Sequence, residues 1–311
     1  YDCMDEHSGF QENSTDLAQV EEEIIHQSST VLVSSSYLKK SVERKKAHKI
    51  VLLPNAGEYE HFQREHIDSC VVPEDIASIK TPIIGYYGAI ADWLDVDLVE
   101  KASMALPHCS FVFIGRVMNK KLDELARSSK NIFLLGEKPY ELLPAYVKAF
   151  TVCTIPFVLS ELIKATHPVK FFEYAASGKP IVSTALPELL PYKSVCSLAH
   201  SHKGYIESLK KALKESQSLV KKRIEIAKKN TLDMRGTVLE RVVQTIMFPK
   251  VSIVVLSYNH AEMTIRCLES IRLRSFYPAI ECIVVDNASH KTEYKKIEKY
   301  CRKNTLHFIP N

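Results

Sequence analysis

Short apolar runs alternate with helical patterns along most of this 311-residue sequence. The runs at 31–33, 50–53, 82–87 and 111–114 are almost continuously apolar, and the segments between them repeat apolar side chains at helical spacing. Strands without polar alternation are buried on both faces, as in parallel sheets that helices cover. The sequence therefore predicts an α/β protein whose ligands bind at the carboxyl ends of the strands.

Composition narrows the class of protein. The chain is 46% hydrophobic and 25% charged with a formal net charge of +4, as in ordinary globular proteins, so we do not expect a nucleic-acid partner. Eight cysteines without a Cys-x-x-Cys pair favour reduced thiols. The sequence has no apolar stretch of roughly 18 to 20 residues and no leader pattern. We therefore expect a cytoplasmic protein, attached at most peripherally to a membrane through Lys-rich helices between about 208 and 229.

The stretch 166–182 carries the clearest ligand-binding pattern. Pro168 suits the first turn of a helix that Thr166 or His167 would cap, so free N–H groups and the positive dipole end would face a cleft and attract a diphosphate. Lys170 would add a positive charge, and the Glu173 carboxylate, one turn further on, can accept hydrogen bonds from two ribose hydroxyls. An ordinary amphipathic helix that packs its aromatic side chains into a core remains the alternative.

The run Pro168-x-Lys170-x-x-Glu173-Tyr174-x-Ala176-x-Gly178-Lys179-Pro180 resembles the donor-site helix of GT-B glycosyltransferases, especially the retaining family four. Supporting motifs in the family's order lie at 1–6, 34–38, 53–55, 84–88, 113–115 and 155–157. The resemblance covers about residues 1–247. It implies that residues 1–62 are the tail of the acceptor-side domain, and that residues 63–247 are a Rossmann-like donor-binding domain with its crossover helices.

The resemblance also implies site residues and two departures. Gly88, Thr166, His167, Lys170 and Glu173 would bind the donor. The family's second glutamate, which contacts the donor sugar, is replaced by Ala165, and the loop after residue 87 lacks the family's phosphate-binding Arg and Lys. Arg116 and Lys170 are our expected substitutes.

Several residues have two open interpretations. Asp2 and Asp5 would sit at a strand end, where they would either orient an acceptor hydroxyl as catalytic carboxylates or only form a turn. His7 and His167 are expected to cap or pack. Trp93 is expected to be structural, with stacking on a ligand as the alternative.

After Pro249 the pattern restarts with a new strand at 251–256, which predicts a further domain at 250–311. The turn Ser257-Tyr258-Asn259 and Asp286 at the end of the next strand resemble the N-terminal part of family-two glycosyltransferases, which have the GT-A fold. In that family these positions line the nucleotide pocket. A generic α/β unit in which Asp286 caps a helix is the alternative.

The resemblance to family two implies that the metal-binding Asp-x-Asp and the catalytic carboxylate would follow Asn311. We therefore expect Mg²⁺ or Mn²⁺ only in a completed second domain, and neither a metal nor a cofactor in the first. Both ends look cut, since the chain starts with Tyr1, so we expect a catalytically silent fragment.

The whole pattern predicts a tandem glycosyltransferase of polysaccharide or glycoconjugate biosynthesis. Its donor would be a UDP, GDP or dTDP sugar, and its acceptor a saccharide or a lipid-linked acceptor. A GT-B-fold nucleotide-sugar epimerase and a non-catalytic sugar-nucleotide-binding module are the two rival interpretations.

Overall fold

The computed structural model describes residues 1–6 and 15–311 and shows an α/β protein. All pairings between its strands are parallel within the described residues, as predicted. The chain divides into two compact units, Tyr1–Thr237 and Val238–Asn311. This division falls inside a helix, whereas the sequence pattern places a boundary near Pro249.

The first unit begins with a three-stranded sheet in the order β1-β2-β3. Its elements are β1 (Asp2–Cys3), α1 (Thr15–Gln27), β2 (Val31–Val33), α2 (Ser36–Arg44) and β3 (Ile50–Leu52). Helix α2 starts here because the Ser35 side chain accepts a hydrogen bond from the backbone N–H of Leu38. The core of this sheet includes Ala165, which comes from a later helix and is 1% exposed.

The polar segment 58–80 is the connector between β3 and the next sheet, and it folds into three short helices. These are α3 (Tyr59–Phe62), α4 (Arg64–Ser69) and α5 (Glu74–Ala77). Each buries one apolar side chain, Phe62, Ile67 or Ile76, in the core of the following sheet. Burial of such a side chain contributes roughly 1.5–3 kcal/mol, so the connector is fixed to that layer.

A six-stranded sheet in the order β6-β5-β4-β7-β8-β9 forms the main layer of the first unit. Its strands are β4 (Ile83–Tyr87), β5 (Ser110–Ile114), β6 (Ile132–Leu134), β7 (Val152–Ile155), β8 (Ile181–Thr184) and β9 (Ser197–Ala199). Strands β4, β5, β7 and β8 are buried along their whole length. The strand order reverses between β4 and β7, and a crevice for a ligand opens at such a switch point.

Helices cover this sheet. They are α6 (Val96–Ala105), α7 (Lys120–Ser128), α8 (Leu143–Ala149), α9 (Glu161–Ala165), α10 (Val169–Ala176), α11 (His202–Ala212) and α12 (Val220–Lys228). Short 3₁₀ turns lie at Tyr140–Leu142, Pro187–Tyr192 and Gln217–Leu219. Helix α10 ends before Gly178, whose φ of 72° suits a residue without a side chain.

Arg223 is a fully buried charge within helix α12, with 1% of its surface exposed. Its guanidinium binds the Glu215 carboxylate through two hydrogen bonds of 2.5 and 2.8 Å. It also donates to the carbonyl oxygens of Val195 and Gly178. Because these bonds join α12 to the segments before β8 and β9, Arg223 fixes this helix to the sheet.

Helix α13 (Leu232–Met247) leads into the second unit, which has a parallel sheet in the order β10-β11-β12. Its elements are β10 (Val251–Ser257), α14 (Ala261–Arg274), β11 (Ile280–Asp286), α15 (Lys291–Lys303) and β12 (His307–Ile309). Ala261, Leu268, Val284, Ile297 and Cys301 form its core. Across the described parts of both units, every helix is too short or too polar to cross a membrane.

Candidate functional site

Helix α10 begins at Val169 and has no side-chain cap. Thr166 ends the preceding helix, and its hydroxyl donates to the carbonyl oxygen of Leu162 at 3.0 Å. The predicted cap by Thr166 or His167 is therefore wrong, because one side chain bonds backwards and the other is buried. Pro168 lies just before the helix rather than in its first turn. The uncapped N–H groups and the positive dipole end of α10 remain available for an anion.

Glu173 lies one turn into α10 and is 4% exposed. Its Oε2 accepts a hydrogen bond from the hydroxyl of Tyr87 at 2.5 Å, and its Oε1 accepts one from the hydroxyl of Tyr140 at 2.8 Å. Burial raises the pKa of Glu173, while these two donors and Lys170 oppose the rise. The two tyrosines thus hold the carboxylate in one orientation and leave part of its acceptor capacity for a ligand.

A cavity of about 290 Å³, here the Glu173 cavity, opens beside this carboxylate. Its wall includes Glu173, Tyr140, Val169, Asn55, Asp2 and Arg235. Asn55 fixes the entry to α10, since its side-chain amide donates to the carbonyl oxygen of His167 at 2.8 Å. The structure therefore brings the predicted residues Asp2 and Glu173 to one cavity at the start of α10.

A second cavity of about 300 Å³, here the Lys170 cavity, holds three of the other predicted residues, Asp5, Thr166 and Lys170. Its wall includes Lys170, Asp5, Thr166, Trp93, Tyr86 and Phe157. The Lys170 ammonium lies 5.2 Å from the ring centroid of Tyr86 and 5.1 Å from that of Phe157, so it makes two cation–π contacts. Burial lowers the pKa of Lys170 to about 8, with Glu173 opposing the fall.

Gly88 lies beside Lys170. A Cβ atom added at Gly88 would lie 3.3 Å from the Lys170 Nζ, and the φ of Gly88 is 127°. Gly115 has a φ of 141° and packs against the same loop, because its Cβ would lie 2.1 Å from the Gly88 carbonyl oxygen. Arg116 follows directly but is exposed and lines neither cavity. The Arg116 backbone lies beside the loop that follows Gly88, since its carbonyl oxygen accepts from the Ile90 N–H at 3.0 Å, but Arg116 stays outside both cavities.

His167 packs in this structure. It is 4% exposed, and its ring stacks on Phe172 with 5.3 Å between centroids. Burial, with a smaller contribution from Arg235, lowers the pKa of His167 to about 4, so the ring is neutral at pH 7. Its Nδ1 has no hydrogen-bond partner within the described residues. His7 lies outside the described residues.

The predicted nucleotide pocket of the second unit consists of two turns that are bonded to each other. Asp286 is 1% exposed and accepts from the backbone N–H and the hydroxyl of Ser289 at 2.9 and 2.5 Å. The Ser289 hydroxyl in turn accepts from the Asn259 N–H at 2.8 Å. Ser257 is buried, whereas Tyr258 is 62% exposed. Asp286 therefore orders a turn, and Tyr258 is free to contact a ligand.

No group of three or more His, Cys, Asp or Glu side chains suitable for a metal ion occurs in the described parts of the chain. The Mg²⁺ or Mn²⁺ expected for a completed second domain remains a prediction.

Tyr87, Tyr140 and Arg235 are candidate site residues that the sequence pattern does not indicate. The two tyrosines are 86 and 33 positions from Glu173. Helical or strand periodicity carries no signal at such separations. The one available signal for Tyr87 is its place at the carboxyl end of β4, next to the switch point.

Two segments of the chain match models of known glycosyltransferase families. Residues 81–215 match the family model described as Glycosyl transferases group 1, and residues 252–310 match the one described as Glycosyl transferase family 2. The chain thus matches the models of two glycosyltransferase families in succession, each over part of its length. The resemblance drawn from the motifs is thereby confirmed.

Individual relatives agree with this assignment. A Bacillus subtilis (strain 168) protein named "Putative teichuronic acid biosynthesis glycosyltransferase TuaH" is 27% identical over 179 residues, which are 55% of this chain and 44% of that protein. The chain thus spans less than half the length of this curated relative.

Solved structures show the fold. Sucrose-phosphate synthase from Thermosynechococcus elongatus matches with a TM-score of 0.59 at 16% identity, over 76% of this chain and 63% of that one. Anabaena HepE in complex with UDP matches with a TM-score of 0.59 at 13% identity, over 78% of this chain and 71% of that one. These similarities confirm the predicted Rossmann-like GT-B fold.

Proposed function

We propose that the first unit binds the nucleoside diphosphate of a sugar donor, for transfer of the sugar to a saccharide or lipid-linked acceptor in glycan biosynthesis. The observation that carries this proposal is the buried Glu173 carboxylate, which two tyrosine hydroxyls hold at the wall of a cavity beside an uncapped helix start. The UDP bound to HepE and the name of TuaH support this ligand and this pathway class.

The ribose and the diphosphate of the donor would each meet a complementary group in the site. The ribose hydroxyls would donate to Glu173, and the diphosphate would accept from the N–H groups at the start of α10. The sugar would then extend toward the Lys170 cavity, where Asp5 is the carboxylate available to orient an acceptor hydroxyl. Catalysis would rest on positioning and on stabilisation of the departing diphosphate by the helix N–H groups and Lys170.

The second unit would hold the nucleotide side of a family-two site. Ser257, Tyr258, Asn259 and Asp286 would line the pocket of the base and ribose. Mg²⁺ or Mn²⁺ would neutralise the donor diphosphate once the later carboxylates of that domain are present.

Calorimetry with UDP, GDP and dTDP tests the proposal for the first unit. We expect at least one diphosphate to bind, and its free nucleoside to bind far more weakly, because the phosphates contact the helix start. Absence of binding by all three at millimolar concentration would overturn the proposal.

Donor affinity should depend on pH through Lys170. Its pKa of about 8 means that the cation predominates at pH 7 and is a minor form at pH 9. Loss of this charge should weaken diphosphate binding about tenfold as the pH rises from 7 to 9. Titrations at several pH values measure the effect, with Lys170→Met as the control that should show a flat profile. An equal pH dependence in both proteins would remove Lys170 from the phosphate site.

We also propose cytoplasmic residence with peripheral contact to anionic membranes. Exposed lysines on and beside helices α11 and α12 support it, namely Lys210, Lys211, Lys214, Lys221, Lys222, Lys228 and Lys229. Each lysine near an anionic surface contributes about 1 kcal/mol, and salt screens the attraction. The protein should therefore float with phosphatidylserine vesicles at low salt and dissociate at high salt. Failure to float at low salt would refute the membrane contact.

A further inference from the structure

Arg235 has an unusual environment for an arginine at a cavity wall. It lies in the first turn of helix α13 and is half-buried. Its Nε donates to the Pro54 carbonyl oxygen and its Nη2 to the Asn230 side-chain oxygen, each at 2.7 Å. Both acceptors are neutral. Within the described residues, no carboxylate lies within 4 Å of the guanidinium and no hydrogen bond involves Nη1.

The two bonds fix the plane of the guanidinium and leave its charge uncompensated. A partly desolvated cation without an anionic partner carries a free-energy cost, which an anionic ligand would offset. Burial lowers the pKa of Arg235, and its charge contributes to the low pKa of His167. The positive field of Arg235 therefore reaches the residue that precedes Pro168 and the start of α10.

Arg235 and Glu173 line the same cavity, together with the first residue of α10, Val169. The cavity thus combines a carboxylate, which suits hydroxyl groups, with a guanidinium, which suits phosphate oxygens. The remaining acidic side chains on its wall, Asp2 and Glu58, are both exposed. This mixed charge matches a nucleotide better than a bare anion, since acidic side chains would disfavour inorganic phosphate alone.

We infer that Arg235 is a phosphate-binding residue of the donor site, with Nη1 directed at the diphosphate of the nucleotide whose ribose Glu173 holds. The inference rests on the function proposed above. It assigns to helix α13 the arginine that sequence reasoning placed at Arg116. Lys170 remains in the neighbouring cavity, so the two cations would flank the diphosphate from different walls.

A purely structural role for Arg235 is the competing explanation, because its bond to the Pro54 carbonyl oxygen also attaches α13 to the segment after β3. A comparison of UDP with uridine separates the two roles. If Arg235 binds the phosphates, its substitution weakens the affinity for UDP alone. If Arg235 only shapes the cavity, its substitution weakens the affinity for both ligands.

The test is titration of the full chain with UDP and with uridine, monitored by calorimetry and by ligand-observed NMR. The proteins compared are the wild type, Arg235→Met and Arg235→Lys. We expect Arg235→Met to weaken UDP about tenfold and to leave uridine unchanged. Arg235→Lys keeps the charge but loses the planar fork, so it should weaken UDP by only about threefold. Arg241→Met, an exposed arginine on the same helix, is the matched control and should behave as wild type.

Equal UDP affinity in wild type and Arg235→Met would overturn the inference, and so would a parallel loss of UDP and uridine. In both cases UDP still binds to the wild type, so the proposed function stands. If the wild type itself binds no nucleoside diphosphate, the proposed function fails and the inference fails with it.

Discussion

Replacement of Glu173 by glutamine should weaken UDP binding about thirtyfold. The side chain keeps its size, but it loses the negative charge that the ribose hydroxyls would meet. A hydrogen bond to a charged group is worth about 2 kcal/mol, which corresponds to that factor. Calorimetry on the wild type and Glu173→Gln measures it directly.

Glu141→Gln is the matched control for this substitution. Glu141 is exposed and follows Tyr140 directly, so its variant tests a charge loss near the site without touching the carboxylate itself. We expect wild-type affinity for it. We expect Glu173→Gln to remain folded, because the glutamine oxygen still accepts from one of the two tyrosine hydroxyls, Tyr87 or Tyr140. Thermal melting checks this. Equal UDP affinity in a folded Glu173→Gln variant would remove Glu173 from the site.

Arg223→Met should lower the free energy of unfolding by about 3–5 kcal/mol. The substitution leaves the Glu215 carboxylate without its bidentate partner and two carbonyl oxygens without a donor. Breaking a buried ion pair by removal of one partner has a cost of this size. Urea denaturation followed by circular dichroism gives the value, provided that the first unit unfolds in one transition.

Lys222→Met provides the comparison, since Lys222 precedes Arg223 and is exposed. Its effect should stay within about 0.5 kcal/mol. If Arg223→Met costs less than about 1 kcal/mol, the Arg223–Glu215 pair is not what fixes helix α12 to the sheet.

The parts of the fold that follow from local pattern could be predicted. The buried strands β4, β5, β7 and β8 are continuous apolar runs, and helix α10 ends where Gly178 interrupts its pattern. Both features depend on residues within a few positions of each other. The α/β class, the parallel sheets and the position of Glu173 on a helix beside a crevice follow from them.

Contacts between distant segments could not be predicted. Arg223 stands in the run Lys221-Lys222-Arg223, which resembles a solvated helix face, yet its partners come from three other segments. Thr166 has the residue type of a helix cap, but it bonds back to helix α9. A residue type specifies which bonds a side chain can make, and only the tertiary fold decides which of them it makes.

The candidate site shows the same division. Glu173 and Asp2 lie at one cavity and Lys170 and Asp5 at the other, and these four residues are candidates from the sequence. Ala165 could be recognised only as a departure from the family pattern, and the structure gives its environment, since it packs in the core of the small sheet. Which cation lies near the phosphates depends on where helix α13 packs, because Arg235 reaches the Glu173 cavity from that helix. Local sequence patterns do not predict this packing.

The central claim is that Glu173 holds the ribose of a nucleoside diphosphate. A double-mutant cycle tests it, with UDP and 2′,3′-dideoxy-UDP titrated into the wild type and Glu173→Gln. The wild type should lose about thirtyfold in affinity when the two ribose hydroxyls are removed. Glu173→Gln should bind the two ligands within about threefold of each other, because the group that recognises the hydroxyls is gone. The same loss in both proteins would show that the hydroxyls are recognised elsewhere and would contradict this site.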